Sequence, residues 1–365
     1  MTTHVRGSAT AYRLYDVGYG IELDRAGALV GEATRGRSRP ARSEAQTFQI
    51  RPPLSVSLGE RVITIGGESW SAVLSAHLFD FGVCSMRLTV PSARTDSWDA
   101  FARFGTDFDM APGVAPLLDG ELTALLARIA PAVERADIQA VVEDYVVYRV
   151  ESLTDDRGAL VAHSSLADED LVPLLLRETR PLSLLARREL LANRFSFYAN
   201  DLAVLTWDNA LVIEPRPEDE DIEFVLEFAN AQLLELRVYD AQLDAQLPAL
   251  YDRIAARRQR LRYFTRAYRP LMADLQTRVA EVTEIVERAE NAFKVTDDVY
   301  LARVYAAALD IFRERAWRSG IDRKLQIFRD TYTMLNAEAQ VSRAELMEII
   351  VVLLIAAELI FGFLR

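Results

Sequence analysis

The stretch Ala72–Val90, AVLSAHLFDFGVCSMRLTV, decides how the first half of this chain is read. Two apolar runs of strand length meet at Asp80-Phe81-Gly82, which is turn chemistry, so the stretch predicts a β-hairpin. Helical spacing follows over Ser97–Phe108. The same order returns later. Ser196–Leu205 and Ala210–Ile213 flank Thr206-Trp207-Asp208-Asn209, where the Asp-Asn pair suits a tight turn, and a helix opens at Ile222 after the acidic run Pro217-Glu218-Asp219-Glu220-Asp221. The two passages form a weak internal repeat of pattern, not of identity.

Working outward, Thr10–Leu23, Arg61–Ile65 and Asp144–Val150 carry strand signals, and Leu122–Ala136 has helical spacing. Glu32–Glu44, with four Arg, Gly and Pro, reads as a mobile loop. From Ile222 onward the pattern is helical. Leu233, Leu236, Val238 or Tyr239, Leu243, Leu247, Leu250 and Ile254 form one stripe, and Leu271, Leu275, Val279, Val282 and Val286 form another beyond Tyr268-Arg269-Pro270, which describes an antiparallel helical hairpin with coiled-coil character. Thr296 is the expected cap of the next helix and Ser319-Gly320 its expected end. The fold class is therefore α+β: repeated β-hairpin-plus-helix units, then a long-helix bundle or stalk, then one C-terminal transmembrane helix. The expected divisions are a strand-containing segment 1–70 with the loop 32–44, an α+β domain 71–221, a helical hairpin and stalk 222–346, and an anchor 347–364.

The 365 residues are 50% hydrophobic and 26% charged, an ordinary folded composition. Only 16 Gly and 13 Pro interrupt them, below average usage, which favours long helices. A net charge of −12 argues against direct nucleic-acid binding, which needs a basic face. Cys84 is the only cysteine, so no disulfide framework exists, and three histidines leave little for a metal centre. No metal or other cofactor is expected.

Met347–Leu364, MEIIVVLLIAAELIFGFL, is apolar on every face through Ile349–Ala357. As a helix, its 18 positions would reach about 27 Å, just short of a ~30 Å hydrocarbon core. The alternative is a buried core helix. An all-round apolar character, a terminal place and amphipathic helix in front favour a tail anchor. Arg323, Lys324, Arg329 and Arg343 precede it, so the positive-inside rule keeps the main body cytoplasmic. The expected location is the inner (plasma) membrane, single-pass, with the mitochondrial inner membrane as the alternative. Glu358 within the span either snorkels to the interface or makes a polar contact between spans of an oligomer.

Chemical motifs are missing. No Gly-rich phosphate loop, dinucleotide fingerprint or nucleophile elbow is present. The run Glu218–Glu223 suits a solvated helix start better than a metal site, and Glu281, Glu284, Glu287 and Glu290 suit an ion-paired helix surface. Cys84 reads as a core thiol and His77 as a structural side chain. Interaction residues stand out instead: Trp207, Asp208 and Asn209 at the turn, and Tyr300, Arg303, Trp317, Arg323, Phe328, Tyr332 and Leu335 on the later helices, since Arg and aromatics are favoured in interfaces and are also ordinary bundle filling. Leu325, Phe328, Tyr332 and Leu335 form the stripe expected to join copies into a homo-oligomer.

Three stretches carry a likeness. Phe197–Pro215 (FYANDLAVLTWDNALVIEP), Glu281–Trp317 (EVTEIVERAENAFKVTDDVYLARVYAAALDIFRERAW) and Arg323–Glu358 (RKLQIFRDTYTMLNAEAQVSRAELMEIIVVLLIAAE), with the turn Phe79-Asp80-Phe81-Gly82-Val83, resemble the required-for-meiotic-nuclear-division (RMD/Sif) family, YagE-type prokaryotic branch. The resemblance covers most of residues 70–365. It implies a membrane-attached, oligomeric tether without assigned enzymatic activity, whose organellar relatives support translation near ribosomes. The functional expectation is a membrane-tethered scaffold or adaptor holding a cytoplasmic or ribosome-associated protein. The alternative is a membrane-anchored, hydrolase-like enzyme using Asp208, Glu214 or Glu218.

Overall fold

The computed structural model describes residues 3–31, 33–35, 52–92, 97–163, 166–178, 180–260, 277 and 298–363, and the side chains of 33–35, 169, 249–260, 332, 335–347, 349–350 and 357–363 lie outside that description. The chain divides into two units, Met1–Val238 with Lys294–Arg315, and Tyr239–Phe293 with Ala316–Arg365.

The first unit is an α+β domain built on one nine-stranded sheet. Its strands are β1 (His4–Asp16), β3 (Ala33–Arg35), β4 (Leu54–Ile65), β5 (Glu68–Leu78), β6 (Val83–Pro91), β8 (Val142–Thr154), β9 (Arg194–Phe195), β10 (Leu202–Leu205) and β11 (Asn209–Ile213), in spatial order β3-β4-β5-β6-β1-β8-β11-β10-β9. A separate pair joins β2 (Gly18–Ile21) to β7 (Val133–Ala136). The opening strand sits in the middle, antiparallel to β6 on one side and β8 on the other. Residues before and after 70 therefore share one sheet. The pairing of β8 with β11 is parallel, so the chain between them crosses over through α4 (Asp168–Leu176), α5 (Leu184–Leu190) and the outer strands.

Both expected hairpins form. β5 and β6 pair with His77 opposite Ser85, and the turn closes through Phe79 N–H donating to Val83 O at 2.9 Å. Gly82 has φ +98°, and a Cβ there would meet Gly18 O at 1.9 Å, so the turn and the end of β1 approach as only glycine allows. β10 and β11 pair antiparallel around Thr206–Asp208, with Leu205 and Leu211 fully buried. The helices after them do not repeat. α2 (Trp98–Asp109) follows the first hairpin and packs Phe101, Phe104 and Phe108 into the apolar core against Met86 and Leu88. α6 (Asp221–Arg260) follows the second, and its Glu227 and Glu223 bond to His77 and Arg149, on the sheet face opposite the one that α2 packs against. The two passages share order and not geometry.

α2 starts where Ser97 Oγ accepts from Ala100 N, and buries Trp98, Phe101, Phe104 and Phe108 at three- and four-residue spacing. Each buried Phe is worth about 1.5–3 kcal/mol of transfer free energy. α3 (Val114–Ile129) adds Leu118, Leu122, Leu125 and Ile129 to the same core. The helical spacing read over Leu122–Ala136 thus covers the end of α3, and its last four residues are strand β7, paired with β2. Ala33–Arg35, expected within a loop, is the edge strand beside β4, and 36–44 lies outside the described residues.

Helix α7 (Val299–Ile311) is capped by Asp298, whose carboxylate accepts from Tyr300 N and Leu301 N, where Thr296 was expected. It ends at Phe312, followed by Arg313 at φ +55°. Ser319-Gly320 ends nothing: α8 (Glu314–Phe363) runs through it. The second stripe, Leu271–Val286, and the Glu281–Glu290 face lie outside the described residues. In the second unit Lys324 reaches Asp240 and Asp244, both at 2.6 Å. Among the described residues no helix is long and apolar enough to cross a membrane. The expected span 347–364 is described only in part, helical in backbone to Phe363 with side chains given for Glu348 and Val351–Ala356.

Candidate functional site

Strand alternation places Tyr12, His77, Ser85, Arg87 and Arg149 on one face of the sheet, as the registers Tyr12 with Arg87, His77 with Ser85 and Ser8 with Arg149 require. α6 covers this face. Its first turn holds Asp221 and Glu223, which suit the positive end of the helix dipole, and Glu227 follows one turn on. The result is a buried polar layer drawn from four strands and one helix.

His77 is its centre. Its Nδ1 lies 2.8 Å from Glu227 Oε2, and its Nε2 lies 2.9 Å from Arg87 Nη1. A guanidinium only donates, so in this contact Nε2 accepts and Nδ1–H donates to Glu227. The Glu227 side chain is 1% exposed. Burial pushes its carboxyl up, but His77, Arg87 and the Ser85 hydroxyl outweigh that and hold it below the usual carboxylate range. Arg87 also lies 5.3 Å above the Tyr12 ring and 3.5 Å from Glu220. Burial first, and then neighbouring carboxylates, raise the Tyr12 phenol well beyond its ordinary value.

Arg149 anchors the other end. It donates to Glu223, to Asp219 O at 3.0 Å and to Arg216 O at 2.7 Å, fixing the acidic run to the sheet. For Glu223, burial wins over Arg149, and its carboxyl is raised. Glu223 Oε2, Glu227 Oε1 and Arg87 Nε are buried without a hydrogen-bond partner among the described residues.

Ser85, His77 and Glu227 are the residue types of a hydrolytic triad. The geometry does not make one, because Arg87 occupies the Nε2 that a nucleophile would need. Among the described residues no group of three or more His, Cys, Asp or Glu is placed to hold a metal ion. Cys84, on the apolar side of the same hairpin, is fully buried, and burial raises its thiol.

The residues singled out from sequence are spread over the molecule. Trp207 is 49% exposed, edge-on to Phe312 at 6.1 Å, with Arg313 5.8 Å from its ring centroid. Asp208 pairs with Arg177, which also meets Asp109 at 3.1 Å. Asn209 is fully buried: it donates to Leu175 O at 3.1 Å and accepts from Thr206 Oγ1 at 2.9 Å. The turn therefore clasps α4. Tyr300 is buried, Arg303 and Arg323 are exposed, and Trp317 is half-buried. Phe328 is 2% exposed and Leu325 4%, so these two members of the expected intermolecular stripe are spent on packing within the chain. The side chains of Tyr332, Leu335 and Glu358 lie outside the described residues.

Asp208 and Glu214 stand at opposite ends of the five-residue strand β11, roughly 20 Å apart at strand rise, and Glu214 is paired with Arg216. Glu218 is exposed. The acids that an enzyme reading would use are not gathered in one place. The polar layer was missed from sequence. Its signal was an Arg inside the apolar strand Asp144–Val150 and two Glu one turn apart at an otherwise apolar helix start.

Residues 6–220, which hold the nine-stranded sheet but for the first two residues of β1, match a family model, and the chain belongs to the family described as "Uncharacterized protein MJ0711, N-terminal domain". The matched region ends just before α6, so Glu223 and Glu227 lie beyond it. The chain is 24% identical over 223 residues to "Uncharacterized protein MJ0711" of Methanocaldococcus jannaschii, across 61% of this chain and 66% of that relative, just under two thirds of its length. No solved structure matches the chain.

Proposed function

We propose that the protein is a membrane-tethered scaffold or adaptor, in which α8 carries the attachment and the sheet domain presents a partner to it. One observation carries this reading. Val351, Val352, Leu353, Leu354 and Ile355 are each between 51% and 64% exposed, five consecutive apolar residues that point all round the helix. Among the described residues that segment keeps more than half of its apolar surface open, and apolar surface of this kind marks a membrane or protein contact. Extended over 347–364, the same apolar character reaches about 27 Å. Arg323, Lys324, Arg329 and Arg343 precede it, which supports a cytoplasmic sheet domain. Self-association through the same apolar segment fits this reading, with the role of organellar relatives in translation entering only by analogy to the resemblance noted above.

Two further features support a scaffold over a hydrolase: Asp208 and Glu214 stand at opposite ends of β11, each paired with an Arg, and the second nitrogen of His77 is occupied. The test is fractionation. The full chain should sediment with membranes and require detergent for release, and Val352→Glu with Leu354→Glu should move it to the high-speed supernatant. A wild-type chain found in the supernatant without detergent overturns the reading.

A further inference from the structure

Helix α5 (Leu184–Leu190), LLARREL, buries none of its seven residues. Leu184 is 54% exposed, Leu185 76% and Leu190 47%, and no other described element of the first unit carries three exposed large apolar side chains. The helix is nonetheless held in place. Ser183 Oγ accepts from Ala186 N at 3.2 Å to start it, and Leu182 before it and Leu191 after it both pack into the apolar core of the sheet. The leucines between those two anchors are turned outward by the fold itself.

At about 100° per residue, Arg188 projects between Leu184 and Leu185, with Glu189 at the rim beside Leu185. Arg180–Arg194 holds four Arg and one Glu, a net +3 in a chain whose formal charge is −12. Arg194 pairs with Asp168 at 2.6 Å, while Arg180 and Arg188 are exposed with no ion-pair partner among the described residues. Leu is under-represented among the side chains that carry protein–protein contacts, where Trp, Tyr and Arg dominate. Leucines beside long cationic side chains suit an anionic bilayer instead: the leucines enter the acyl boundary, and the guanidinium reaches back to a lipid phosphate.

We infer that the outward face of α5 rests on an anionic bilayer surface, with Leu184 and Leu185 inserted and Arg180 and Arg188 on headgroup phosphates. The sheet domain thereby gains a membrane contact of its own. This contact builds on the tether reading, which brings the chain to a bilayer, but uses no residue of α8. Two leucines offer fewer methylenes than a myristoyl chain, which alone holds a protein only marginally. The contact therefore sets which side of the sheet domain meets the lipid and does not retain the chain through fractionation.

The experiment is co-sedimentation of the full chain carrying Val352→Glu and Leu354→Glu, at low salt and excess lipid, with vesicles of phosphatidylcholine alone or mixed with phosphatidylserine. The mixed vesicles should bring it down, and neutral vesicles or high salt should lower binding several-fold. Adding Leu184→Glu with Leu185→Glu should lower binding about tenfold or more. Arg188→Ala should lower it about fivefold on the mixed vesicles alone, which is the worth of one basic side chain at a charged lipid surface. These positions are exposed, so melting temperatures should not change. A chain that ignores the mixed vesicles, binds neutral ones equally, or binds as well with Leu184 and Leu185 replaced overturns the contact. If the unaltered chain sediments with membranes while the Val352, Leu354 variant ignores vesicles, the contact falls and the tether stands. If the unaltered chain stays in the supernatant yet binds mixed vesicles through Leu184 and Leu185, the tether falls and the contact stands.

Discussion

The face of the sheet turned towards α2, α3 and α4 is closed by Met86, Leu88, Leu74, Tyr148, Phe101 and Phe108, all fully or almost fully buried. The face turned towards α6 is closed partly by aromatic contacts such as Phe79 with Phe228, and partly by Arg87, Arg149, His77, Glu223 and Glu227. Both are dry, but they are dry for different reasons. An apolar face tolerates many combinations of similar volume, and each lost methylene costs a little. A charged face holds only while every partner is present, because desolvation has already been spent on each ion. The first face makes the fold; the second fixes where α6 must lie on it.

The largest effect should come from removing one member of the charged layer. Glu227→Ala leaves buried His77 without its carboxylate and removes the buried negative charge near Arg87, and should cost about 3–5 kcal/mol in urea unfolding. Replacing all three residues together with Leu, Met and Leu should recover most of that loss. A single substitution costing under about 1 kcal/mol would show that the layer is hydrated and the contrast between faces is false.

A smaller effect sharpens the contrast from the apolar side, where Asn209 is a polar group planted among hydrophobes. Asn209→Ala should cost about 1–3 kcal/mol, since Leu175 O loses its side-chain donor in a buried place. Asp208→Ala, which cuts a part-exposed pair with Arg177, should cost less than about 1 kcal/mol. Equal melting temperatures for the two variants would remove Asn209 from the clasp.

A pH-dependent effect belongs to Asp16, a buried carboxyl at the end of β1 with no ion-pair partner among the described residues. Burial, with help from nearby Asp137, pushes it up to about 7 despite the Gly18 N–H that it accepts. The folded state therefore keeps a proton that the unfolded chain releases near pH 4, so its contribution falls as pH rises from about 4 to about 7. Asp16→Asn should flatten that slope, stabilising the protein by about 1–2 kcal/mol at pH 8 and hardly at all at pH 4. Melting curves at the two pH values decide it.

What was legible in the sequence was local. The turns at Asp80-Phe81-Gly82 and Trp207-Asp208 announce themselves by residue type, as does the spacing of Phe101, Phe104 and Phe108 on α2. The charged layer was hidden because His77, Arg87 and Arg149 alternate with apolar neighbours as solvent-facing strand residues do. Only a helix arriving 150 residues after His77 turns that face inward. The same distance problem hid the division at 70, which cuts through paired strands, and the fate of Phe328, whose stripe spacing is the same whether it meets its own chain or another. Helix ends misled by one or two residues where two good caps stood side by side, Thr296 and Asp298.

The central place of β1 has a consequence in time. The first strand to leave the ribosome finds its neighbour β6 only when residues 83–91 have emerged, and its other neighbour β8 only with residues 142–154. At roughly 5–20 residues per second, that second wait is on the order of 10–30 s. During it, an opening strand with Ala9, Ala11, Leu14 and Tyr15 has one edge unpaired, and Arg87 and His77 wait still longer for Glu227. The long central strand therefore keeps an open edge until β8 is made, and slow or paused synthesis before residue 142 lengthens the interval in which that edge is exposed to mispairing.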